Sequence, residues 1–216
     1  MAKPGMYEGV SDEELLIAWK QGEQNAGAAL LMRYHHNVAR FFIHKLGNDS
    51  EDLVQATFLG LLEGFDRFRG ESSFRTYLFG IARNKLLMAI TERVRDRKRF
   101  DPGVTSIAAL DLTPTKQRAI RDQQKLLLAA LRSLPLDVQI MLELHYWERM
   151  KVDDIAEVLD MNRNTVRTKM RRGRQRLHDE MQRLSDSKQL LETTLDGLAK
   201  WAARLREELG EAEETS

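Results

Sequence analysis

Cysteine is absent from this chain of 216 residues, which excludes disulfides and cysteine-ligated zinc and fits a reducing compartment. No apolar run approaches the roughly 20 residues that span a bilayer, so membrane insertion is not expected. The opening MAKPGMYEGVSDEEL lacks an apolar core of its own, and a secretory signal is not expected either. Net charge is almost absent, at +1. That total hides an uneven distribution, with a basic excess between Arg163 and Arg176 and an acidic stretch from Glu207 to Glu214. A near-neutral sum is therefore no argument against a polyanionic partner, because the local field steers binding. No nucleophile–base pair, Gly-rich phosphate loop or paired catalytic carboxylates stand out, so neither an enzyme nor a cofactor is expected. His35, His36 and His44 share one helix without the carboxylates or thiols of a metal site, and they read as surface or core histidines.

What remains is a chain that is 42% hydrophobic and 31% charged, with helical periodicity nearly throughout. Ser11 can cap a first helix whose first turn holds Asp12, Glu13 and Glu14, favourable for the helix dipole. A second helix runs near 25–46, and a third from Glu51 to about Gly64 with Leu53, Val54, Phe58, Leu61 and Leu62 inward. After the polar loop Phe65–Phe74, Ser72 or Ser73 caps a long fourth helix, with Tyr77, Leu78, Ile81, Leu86 and Ile90 as core candidates. Residues 100–114, with a Pro-Gly pair, read as an interdomain linker. Helices resume from Thr115, break at Leu134-Pro135, and continue through Asp137–Trp147. The fold class is all-α: two small helical domains joined by a flexible linker, the second a helix-turn-helix, with a C-terminal amphipathic helix. The expected boundaries are 1–99, 100–114 as linker, 115–184 and 185–216.

The most informative stretch is KVDDIAEVLDMNRNTVRTKMRRGRQRL, from Lys151 to Leu177. Val152, Ile155, Ala156 and Leu159 give one short amphipathic helix, and Asn162 is placed to cap a second that begins at Arg163. Two short helices across a three-residue turn form the helix-turn-helix pattern. Its second helix carries Arg163, Arg167, Lys169, Arg171, Arg172, Arg174 and Arg176 with no acidic residue among them. A basic second helix in that motif is the element that meets base edges and phosphates in duplex DNA.

Three stretches in order, EDLVQATFLGLL, FRGESSFRTYLFGIARNKL and LRSLPLDVQIMLELHYWERMKVDDIAEVLDMNRNTVRTKMRRGRQRL, resemble a sigma factor of bacterial RNA polymerase of the extracytoplasmic-function (ECF) type. The resemblance covers about residues 10 to 180. It implies a transcription initiation factor that binds core RNA polymerase and directs it to promoter DNA in the cytoplasm, recognising −35 and −10 elements and assisting melting. Asp52, Leu53, Val54 and Gln55 match the core-polymerase-binding motif. Phe68, Phe79 and Asn84 match positions that line the pocket for an unpaired −10 base. Stacking on aromatics and hydrogen bonds to a Watson–Crick edge suit that task. For Phe68 and Phe79 the competing reading is a plain core aromatic. Arg163, Thr165, Arg167, Thr168, Arg171, Arg172 and Arg174 match −35 positions, with Arg174 and Arg176 read as phosphate contacts. The chain departs from the family pattern at Tyr77, where Trp is usual, at Asn164, where Gly is frequent, and at Arg171, where an apolar residue is frequent. The last two leave the preferred −35 sequence open. The alternative function is a helix-turn-helix regulator that is not a polymerase subunit.

Beyond the recognition helix, Leu177, Leu184, Leu191, Leu198 and Leu205 fall seven apart, interleaved with Met181, Leu195, Ala202 and Leu209. This leucine seam could fold back on the domains, self-associate or dock an anti-sigma protein, with fold-back expected first.

Overall fold

The computed structural model describes residues 7–47, 50–94, 100–110 and 122–184, with 122–124 by backbone alone. Eight α-helices make up most of the described residues: α1 (Asp12–Lys20), α2 (Gln24–Leu46), α3 (Glu51–Gly64), α4 (Phe74–Arg93), α5 (Asp122–Ser133), α6 (Leu136–Tyr146), α7 (Val152–Leu159) and α8 (Arg163–Leu184). Local chemistry sets their starts. Ser11 and Glu14 form a reciprocal cap, with Glu14 N–H donating to Ser11 Oγ at 3.2 Å and Ser11 N–H to Glu14 Oε2 at 2.9 Å. Of the two serines placed before α4, Ser73 is the cap, accepting from Thr76 N–H at 3.1 Å. Gly47, with φ 68, closes α2 in a conformation that disfavours a side chain.

Helices α1–α4 enclose a core that includes Leu15, Leu30, Val38, Phe42, Leu61, Leu78 and Leu86. Helices α5, α6 and α8 enclose a second around Leu127, Leu131, Leu142, Leu177 and Met181. The two are not independent. Helix α7 packs along α4, and the first cluster runs on through Ile140, Met141, Leu144, Ile155, Leu159, Val166 and Met170. Every residue of α6 from Leu136 to Leu144 is buried, because α5, α7 and α8 pack against the helix while its Glu143 and Asp137 meet Lys45 of α2 and Arg83 of α4. Helix α8 comes close to α6 at Gly173, where an added Cβ would collide with Val138.

The segment read as a linker is ordered over 100–110. Leu136 N–H donates to Thr105 O and Asp137 N–H to Pro102 O, both at 3.0 Å, and Ile107 is buried at 1% exposure. The free N–H groups at the start of α6 are satisfied by this strap, which explains its packing. Two members of the leucine seam have local partners: Leu177 and Met181 are buried against α5, while Leu184 at the end of α8 is exposed. The rest of the seam, and the C-terminal amphipathic helix expected over 185–216, lie outside the described residues.

Candidate nucleic-acid interface

The helix-turn-helix is built from its turn outward. Asp160 closes α7 at φ 52, Met161 N–H returns to Ala156 O at 2.9 Å, and Asn162 Oδ1 accepts from Asn164 N–H at 2.9 Å. Ile155, Val158 and Leu159 of α7 and Val166, Met170 and Gly173 of α8 point inward. That registration leaves Arg163, Thr165, Arg167, Thr168, Arg171, Arg172 and Arg174 exposed together along α8. Arg163 Nε is 2.8 Å from Asp153 Oδ1, an exposed pair that salt and solvent weaken. Lys169 turns the other way, with its ammonium over Gly103 of the strap.

On α3, Asp52 and Gln55 are exposed, Leu53 is half-buried and Val54 is buried. The four motif residues thus divide into a free polar pair and an apolar side that packs the core. Phe68, Phe79 and Asn84 are not gathered into an open pocket in this conformation. Phe79 is fully buried edge-on to Phe41 at 5.7 Å between centroids. Phe68 stacks on Tyr77 at 4.6 Å, and Lys20 holds the Phe68 carbonyl at 2.6 Å. Asn84 is exposed on α4. Tyr77, standing where Trp is usual, keeps an aromatic body and donates its hydroxyl to Gly64 O at 3.3 Å.

A set of residues that sequence reasoning missed joins the two halves. Glu148 accepts from Asn37 Nδ2 at 2.6 Å and pairs with the buried Arg40, while its carbonyl accepts from Arg75 at 2.7 Å. Glu143 pairs with Lys45, which is wholly buried and also donates to Phe41 O at 2.8 Å. Gln139 Nε2 donates to Glu143 Oε1 at 2.8 Å, and Arg132 Nε caps the His44 carbonyl at 2.7 Å. The signal available in the sequence was Glu143 between Leu142 and Leu144 on a largely apolar helix, a charge that demands a partner from elsewhere. Burial alone would raise the Glu143 carboxyl, but Lys45 and His44 outweigh it and hold it down at about 2.

His44 sits edge-on to Trp147 and 3.8 Å from Glu143, and burial pushes its imidazole below the ordinary 6.5. A depressed value means the unfolded chain binds the proton more readily. His44 therefore contributes stability that is fully present above about 6.5 and is lost as pH falls below it. Thermal unfolding midpoints between pH 7.5 and 5.5 should fall for the wild type and fall less for His44→Gln. Parallel pH profiles would show that His44 is not the group responsible. Among the described residues, no group of three or more His, Cys, Asp or Glu is placed to hold a metal ion, and no helix is long and apolar enough to cross a membrane.

Comparison with known proteins places these elements. The model of sigma-70 region 2 matches residues 30–100, and the model of sigma-70 region 4 matches 124–177. The chain is 29% identical over 190 residues to the ECF RNA polymerase sigma-E factor of Haemophilus influenzae, covering 83% of this chain and 100% of that one. It is 26% identical over 190 residues to the factor of the same name in Escherichia coli K12, covering 83% and 98%. Among solved structures, CnrH in complex with the cytosolic domain of CnrY has a TM-score of 0.59 at 22% identity, covering 81% of this chain and 99% of that one. The sigma factor RpoE bound to the anti-sigma factor NepR from Bartonella quintana has a TM-score of 0.55 at 21% identity, covering 70% and 94%.

Proposed function

The chain belongs to the sigma-70 family, as an ECF sigma factor that directs RNA polymerase to promoters, and from this premise we propose how its residues divide the work. It is a transcription initiation factor and not an enzyme. The N-terminal helices bind core polymerase through the exposed pair Asp52 and Gln55, with Leu53 and Val54 packing beneath. Phe68, Phe79 and Asn84 read an unpaired −10 base, and α8 reads the −35 duplex. Residues 1–99 and 115–184 act as the two working domains, with 100–114 between them and 185–216 as an extension. The site of action is the cytoplasm, where polymerase and promoter meet. Anti-sigma proteins are candidate partners, since the fold is shared with a sigma factor solved with one.

The observation that carries this reading is the exposure of seven polar and cationic residues along α8 while its apolar residues are buried. Arginine can bond bidentately to guanine in the major groove, and each such pair discriminates by about 1–3 kcal/mol. The two promoter elements lie about 25 base pairs apart, roughly 85 Å along the duplex. A compact body of this chain's size spans only about 45 Å. The packed halves must therefore separate before both elements are engaged, and that separation would also free the face of α4 that α7 covers.

The test is run-off transcription with purified core polymerase, which should depend on this protein. Within it, Arg171→Ala should weaken −35 binding by about 1–3 kcal/mol and relax discrimination at one base pair. Arg174→Ala should weaken all sequences alike and flatten the salt dependence. Uniform loss in both variants would overturn the division into base and phosphate contacts.

A further inference from the structure

His44 is buried on the seam between the two halves. Its own helix, α2, sets Arg40 and Lys45 beside it, and α5 adds Arg132, whose Nε donates to the His44 carbonyl at 2.7 Å. Two carboxylates face these three cations: Glu143 of α6 and Glu148 just beyond that helix. Each of their oxygens is already engaged. Glu143 meets Lys45 through Oε2 and the Gln139 amide through Oε1, while Glu148 meets Arg40 through Oε1 and Asn37 through Oε2. Glu143 Oε1 is 3.8 Å from His44 Nδ1, long for a hydrogen bond. Trp147 stands edge-on to the imidazole at 5.7 Å between centroids. The cavity beside the ring leaves about 10 Å³ for water, room for one molecule at most. A proton taken up by His44 would set four cations against two carboxylates, with no bulk water to receive the charge.

We propose that His44 makes the closed chain acid-sensitive: protonation of its imidazole parts the two halves, each still folded, and uncovers the face of α4 that α7 occupies. Parting returns the ring to water, where it takes a proton near 6.5. In the closed chain burial keeps the imidazole below that value, with Lys45 and Arg40 adding to the effect against the pull of Glu143. The open form therefore binds the proton more readily, and the ratio of open to closed chain rises as pH falls below 6.5. For one imidazole released to 6.5, the ratio rises by up to about tenfold between pH 7.5 and 5.5. The carboxylates of the seam do not imitate this. Glu143 is held at about 2 in the closed chain and has an ordinary value of 4.5, so its own effect falls below the range. Burial raises Asp137, so acid favours the closed chain at that group, the opposite sign. The parting of the halves stands apart from the reading of promoter elements; only its benefit to DNA binding rests on that reading.

The absence of cysteine gives a direct test. Met32→Cys on α2 and Glu157→Cys on α7, both at exposed positions, carry a donor and an acceptor dye, one in each half of the full chain. Single-molecule energy transfer should show the ratio of separated to compact chains growing by about tenfold from pH 7.5 to 5.5, with the far-ultraviolet helical signal unchanged. His44→Gln and His44→Phe do not titrate, and either should hold the ratio constant to within about twofold; two replacements are made so that one folded variant suffices. Arg40→Gln weakens the contact with Glu148 and brings the separated population into range where the wild type shows too little of it. A ratio that stays flat with pH in both the wild type and Arg40→Gln overturns the proposal. So does a response of the same size without His44, or a loss of helix that accompanies the loss of transfer. The dye pair is read with no polymerase present, so failure to support run-off transcription would count against the division of roles and leave this result standing.

Discussion

Replacing Asp52 by Lys together with Gln55 by Ala is expected to abolish assembly with core polymerase and leave the fold intact. Both side chains are exposed on one face of α3, three residues apart, and neither supports the core. Removing an interface hot spot costs about 2–4 kcal/mol, so the dissociation constant should rise by at least about 30-fold. Exposed substitutions normally change stability by less than about 0.5 kcal/mol. Lys in the first turn also opposes the helix dipole, which adds about 0.3–1 kcal/mol. Asp52→Asn with Gln55→Ala separates that helix effect from weakened assembly. The measurement is titration of labelled protein with core polymerase, beside a thermal melt and binding to −35 duplex. A variant that melts and binds duplex normally but still assembles would remove Asp52 and Gln55 from the polymerase contact.

Glu143→Ala should cost more than any surface change in the molecule. It strands the ammonium of Lys45, which has no exposure, and leaves the Gln139 amide without its acceptor. Breaking a buried pair from one side costs about 3–5 kcal/mol, because the remaining charge keeps its desolvation penalty. For a chain of this size that lowers the melting temperature by roughly 10 °C. The loss has two routes: the protein can unfold, or the halves can part so that Lys45 regains water. Small-angle scattering on the variant distinguishes them. The double variant Lys45→Met with Glu143→Leu should recover most of the loss, since no charge is then stranded. If it recovers nothing, packing around α6 matters and the ion pair does not.

The positions of the helices were legible because each is encoded by neighbours in the chain. Ser11 with Glu14, Ser73 with Thr76 and Asn162 with Asn164 are contacts two or three residues apart. The 3.6-residue period of Val166, Met170 and Leu177 placed the basic side chains of α8 on its exposed face with no reference to the rest of the molecule. The same holds for Asp52 and Gln55 opposite Val54. The sequence could not say what becomes of Phe79, because an aromatic on a helix packs or recognises a base with the same local pattern. Its burial depends on Phe41, which a different helix, α2, brings against it.

The linker shows the same boundary: its Pro-Gly pair correctly announced a break in helix, but its docking on the start of α6 needed Leu136 and Asp137 to be within reach. Sequence alone thus determined an all-helical chain with a DNA-reading helix, because periodicity and caps act over a few residues. Tertiary structure alone decided that α6 is buried on every side and that Lys45 pairs with Glu143, 98 residues away. A buried charge requires an opposite charge, but any of the chain's 33 acidic residues meets that requirement on paper. Only the packing of the two halves selects one, since the attraction is strong enough to matter only where water has been excluded.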